Sequence, residues 1–73
     1  MSYRLVRTLS DGTVRTQEGL RTTRIAASVM AYCLTDNLGL QRRDVEPLAF
    51  QLENSPLGTN LLAYGYTFRI EAS

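Results

Sequence analysis

A single cysteine and no histidine in a chain of 73 residues remove the staples on which most very small domains rely. Cys33 alone cannot close an internal disulfide, and without histidine or a second thiol no structural zinc site can be assembled. The fold must therefore come from hydrophobic patterning, which in a chain of this size leaves a margin of roughly 3–5 kcal/mol. Self-association is a common remedy for so small a core, and a homo-oligomer, most simply a homodimer, is expected. With 44% hydrophobic residues and a net charge of +1, the composition is that of one globular domain spanning residues 1–73.

The same absences narrow the chemistry. Ser–His triads, Cys–His nucleophiles and histidine acid–base pairs are unavailable within one chain. The glycines at 12, 19, 39, 58 and 65 match neither a Walker loop nor a dinucleotide fingerprint, so no cofactor is expected. Asp44, Glu46 and Glu53 lack calcium-loop spacing, so no metal is expected either. Ser10 beside Asp11 has no base to activate it and reads as part of a turn. An enzyme is not expected. No stretch has the length of a membrane span, and Met1-Ser2-Tyr3-Arg4 lacks the apolar core of a signal peptide. One free thiol suits a reducing compartment, so the expected location is the cytoplasm.

All eight basic residues are arginine, which fits the codon usage of a high-GC bacterial genome and points to a bacterial source. Arginine is also the side chain best shaped for phosphate, carboxylate and aromatic partners. The charge is segregated. Arg4, Arg7, Arg15, Arg21 and Arg24 face only Asp11 and Glu18 in the first third, while the remainder is mildly acidic. Such a dipole orients a partner or a second copy.

Tyr3 to Leu9 predicts a strand, and Ser10-Asp11-Gly12-Thr13 a tight hairpin turn of type I′ with Asp11 and Gly12 at its centre. Thr13 to Gln17 returns as a second strand, ended by Glu18-Gly19. Thr22 or Thr23 caps a helix over 23–38 whose apolar arc holds Ile25, Ala26, Val29, Met30, Cys33 and Leu34. Cys33 reads as core filler with no nearby cation. Gly39 suits a left-handed helix end, with Leu40 placed for the hydrophobic contact beyond it. Asp44 is expected to cap a second helix over 44–54, with Pro47 in its first turn and Val45, Leu48, Ala49 and Leu52 turned inward. Residues 65–71 alternate, with Tyr66, Phe68 and Ile70 on the core side and Thr67, Arg69 and Glu71 outside. Residues 60–64 extend this strand or lead into it, and Gly65 marks a bulge or bend. The expected fold is α+β, a ββααβ chain with a three-stranded sheet, the first strand central and both helices on one face.

Two features stand out as candidate binding elements. The first is the uncovered sheet face, expected to carry Arg4, Val6 and Thr8, then Thr13, Arg15 and Gln17, then Thr67, Arg69 and Glu71. Arg4, Arg15 and Arg69 among threonines suit an anion, a nucleic-acid backbone or a protein, although threonine and arginine are also ordinary on a solvated face. Arg7 breaks this pattern by falling on the core side, which suggests a bulge near Val6 or early fraying. The second is Phe50, an aromatic outside the inward stripe, suited to fill a gap or to anchor an interface. The leading expectation is a non-enzymatic protein–protein interaction module, self-associating or bound to another protein. Nucleic-acid binding through the arginine-bearing face is the alternative, disfavoured by the small net charge.

Overall fold

In the computed structural model, which describes residues 2–73, the chain is an α+β domain. Its elements are β1 (Tyr3–Thr8), β2 (Val14–Leu20), α1 (Thr23–Leu38), α2 (Arg42–Glu53), β3 (Leu61–Ala63) and β4 (Tyr66–Ala72). The sheet is antiparallel throughout, with strand order β2-β1-β4-β3. It therefore has four strands where the sequence predicts three, and β1 is central as expected.

The extra strand arises at Tyr64-Gly65. Ala63 pairs with Tyr66, so these two residues form a two-residue hairpin loop, and both have positive φ, 53° and 84°. That is the type I′ geometry whose twist matches the flanking strands. Gly65 is thus the hinge of a hairpin rather than a bulge. β3 is a separate strand because β4 supplies a partner for its backbone.

The β1–β2 connection, where type I′ was expected, is built differently. The Leu9 N–H donates to the Thr13 carbonyl at 2.8 Å, and the Gly12 N–H donates to the Leu9 carbonyl at 2.9 Å. Only Gly12 in this loop has positive φ, while an Asp11 carboxylate oxygen accepts from the Thr13 N–H at 2.9 Å. This is a three-residue loop ending in a left-handed glycine, the next most common hairpin solution. β2 continues past its expected end: the register shifts by one residue opposite Tyr3–Leu5, around Gly19 (φ 77°), and this bulge returns Leu20 to the core.

α1 follows its local end signals. Thr22 caps α1 by accepting the Ile25 N–H at 3.0 Å, and Gly39 ends it in the left-handed conformation, its N–H donating to the Thr35 carbonyl. α2 starts earlier than expected. Its N-cap is Gln41, with no side-chain hydrogen bond, and Asp44 lies inside the first turn, where a negative charge suits the exposed N–H groups. Pro47 consequently sits one turn further in than predicted and leaves the carbonyl four residues back, that of the exposed Arg43, without a helical donor.

Both helices cover one sheet face. Leu5, Leu20, Ala63, Phe68 and Ile70 meet Ala26, Met30 and Leu34 of α1 and Val45 and Leu52 of α2. Phe68 is fully buried, as the alternation of β4 requires. The buried side of α1 is rotated from the predicted arc: Ala27 is buried and Ile25 is exposed, because α2 packs along the Ala27 side. No helix among the described residues is long and apolar enough to cross a membrane.

Candidate functional site

The predicted site residues fall on three surfaces. On the open sheet face, Arg4, Val6 and Thr8 of β1 lie beside Thr67, Arg69 and Glu71 of β4, as expected. Arg4 donates through Nε to Glu71 at 2.9 Å and lies 3.9 Å from Glu18. Arg69 bonds the second oxygen of the same Glu71 carboxylate. Held by Arg69 first and Arg4 second, the Glu71 carboxyl is lowered from its ordinary range. Val6 is only 4% exposed although it is not part of the helix-side core, since it is flanked by Thr16 and Arg69 at the sheet centre. Arg4 and Arg69 are therefore engaged with carboxylates of their own chain, leaving this face electrically balanced.

Arg15 does not join them. It pairs with Arg7 across β1–β2, and both line a cleft of about 280 Å³ with Leu5, Gln17, Val29 and Cys33. The expectation of Arg15 and Gln17 on the open face is corrected. Had Asp11-Gly12 formed a two-residue turn, Arg15 would oppose Thr8 and face outwards. The three-residue loop slips the register by one, and a one-residue slip moves every side chain of β2 to the other face. The open face instead receives Val14, Thr16 and Glu18.

Arg7 neither bulges out nor frays. β1 remains paired through Thr8, and the Arg7 guanidinium turns under α1, where it donates to the Cys33 sulfur and stands over the Tyr66 ring with 5.9 Å to the centroid. Cys33 is half-buried and also accepts from Asn37 at 3.2 Å, so the expectation of a thiol with no cation beside it is overturned. The signal for this pairing was already legible as an arginine on the core side of a strand and a cysteine on the core arc of a helix.

The third surface is the outer side of the helical hairpin. Phe50, 69% exposed, stands with Tyr32, 71% exposed, at a groove of about 640 Å³ between α1 and α2. The floor is small and apolar, formed by Ala27, Ala31 and Ala49. The charged residues along it are Arg24, Arg42, Glu46 and Glu53, with Arg42 bonded to Glu46 at 2.8 Å. Phe50 does not fill an internal gap. Sequence reasoning missed Tyr32, because a helix wheel places it on the polar side and cannot show that α2 lies alongside.

Among the described residues, no group of three or more His, Cys, Asp or Glu side chains is arranged to hold a metal ion. No protein-family model matches the chain, and neither a curated protein nor a solved structure matches it.

Proposed function

We propose that the chain is a non-enzymatic protein–protein interaction module of a bacterial cytoplasmic protein, and that it pairs with a second copy of itself through the α1/α2 face. The observation that carries this reading is the coexistence, in one patch, of two exposed aromatics and an alanine-floored groove. A two-fold interface brings the same patch of both protomers together and so must be complementary to itself. Here Phe50 and Tyr32 supply the projecting groups, and Ala27, Ala31 and Ala49 supply the space to receive them. Each end of the groove carries one arginine and one glutamate, Arg24 with Glu53 and Arg42 with Glu46, so a copy laid over it in either direction meets no excess of like charge. Aromatic anchors of this kind dominate interface energetics. The free thiol of Cys33 suits a reducing compartment.

The nucleic-acid alternative draws less support. It places Arg4, Arg15 and Arg69 on one surface, whereas Arg15 lies across the sheet from the other two, which are bonded to Glu71.

Sedimentation velocity over a wide concentration range tests the proposal. The wild type is expected to shift from monomer to dimer, and Phe50→Ala to weaken association by more than about 1 kcal/mol while circular dichroism shows an unchanged fold. A wild type that stays monomeric at the highest concentration overturns self-association. Duplex and single-stranded probes at low salt check the alternative, which requires binding that falls steeply with added salt.

A further inference from the structure

We infer that the cleft between β2 and α1 is a binding site for a phosphate group, held between Arg7 and Arg15. It lies in a different part of the fold from the helical groove and does not depend on the proposed dimer.

The first observation is the register. Arg7 and Arg15 stand directly opposite each other on neighbouring antiparallel strands, and both line the same cleft. Like charges in that relationship destabilise a sheet unless something of opposite sign lies between them. Neither guanidinium has a carboxylate within 4.0 Å among the described residues. The Asp11 carboxyl is lowered mainly by hydrogen bonds from Thr13 and only last by Arg15.

The second observation is independent of the first. The Arg7 Nε is buried with no hydrogen-bond partner. A buried donor attached to a charged group is costly to leave unpaired. Its neighbours hold the guanidinium in place without neutralising it: Cys33 accepts one terminal N–H, and the Tyr66 ring lies beneath. The side chain is thus positioned in advance, as an anion-binding group should be.

Cleft chemistry selects the ligand class. Two planar guanidinium forks match the oxygens of a phosphate group, and the Gln17 amide adds a further polar group at the wall. The cleft's 280 Å³ falls just below the range typical of drug-sized ligands, which suits a compact anion. The site is open to solvent because β2 is an edge strand whose residues before Leu20 are all exposed. The chemistry is shared by inorganic phosphate and by a small phosphomonoester.

Thermal unfolding and amide chemical-shift titration of the full chain read the site. Inorganic phosphate and glycerol 3-phosphate are added in separate arms, each against sodium chloride at matched ionic strength. Saturable stabilisation and shifts at Arg7, Arg15 and Gln17 are expected with at least one phosphate, and the responding arm identifies the source. Arg15→Gln is expected to weaken that binding about tenfold, corresponding to loss of one charge-assisted contact. Arg43→Gln, on the exposed side of α2, is expected to bind as the wild type does. Because Arg7→Met removes a half-buried side chain, Arg15→Gln is the deciding variant. Equal responses to phosphate and chloride in the wild type, or unaltered phosphate binding by Arg15→Gln, would overturn the inference.

Discussion

Arg7 and Arg15 face one another across β1 and β2 on the helix side of the sheet, two guanidiniums with no carboxylate between them. The pairing is a product of the loop that joins the strands. In a low-salt buffer free of phosphate and sulfate, Arg15→Gln should hold stability within about 0.5 kcal/mol of wild type or raise it, because it removes a repulsive cross-strand neighbour. Urea unfolding measures this directly. A loss above about 1 kcal/mol would show that Arg15 makes a favourable interaction in the unliganded protein.

The Tyr64-Gly65 turn offers the opposite test. Tyr64 is exposed and holds a φ of 53°, a region that costs an ordinary L-residue roughly 1–2 kcal/mol. Tyr64→Asn creates Asn-Gly, a favoured pair for this turn, and should stabilise the protein by about 0.5–1 kcal/mol. A lower denaturation midpoint would mean that the Tyr64 ring contributes more through packing than its backbone costs.

Leu34, on the inner side of α1, is fully buried and belongs to the central cluster with Met30, Val45 and Phe68. Leu34→Ala should cost about 2–5 kcal/mol, enough to consume most of the margin of so small a domain. A loss below about half a kilocalorie would require a core that collapses fully around the deletion.

Acid stability should depend on Glu71. Its carboxyl is lowered in the folded state by Arg69 and Arg4, so its contribution is complete above the unfolded carboxylate pKa of about 4.3. That contribution is lost as pH falls through the lower folded value. Glu71→Gln should therefore flatten the decline in melting temperature on the acid side while lowering the plateau near neutrality. An acid limb identical to wild type would assign the decline to other carboxylates.

The local elements were legible because their causes are local. Thr22 or Thr23 at one end and Gly39 at the other marked the limits of α1, and the structure makes Thr22 the cap, since a cap and a left-handed glycine act within one turn of the groups they satisfy. The alternation from Tyr66 to Glu71 likewise assigned β4 and its two faces. Asp44 misled about the start of α2 because carboxylates favour both the cap and the first turn.

Which way β2 faces was decided by hydrogen bonds at Leu9, Gly12 and Thr13 that choose a three-residue loop over a two-residue one. Side chains alternate with a period of two, so that single residue carried Arg15 from the open face to the side of Arg7. β3, only three residues long, is a strand because β4 pairs with it, a condition its own composition does not contain. The groove beside Phe50 likewise belongs to neither helix alone. Periodicity and caps marked the elements themselves, while the side of α1 and of β2 that is buried was decided by loop geometry and packing between distant segments, and the arginine pair and the helical groove exist only at that level.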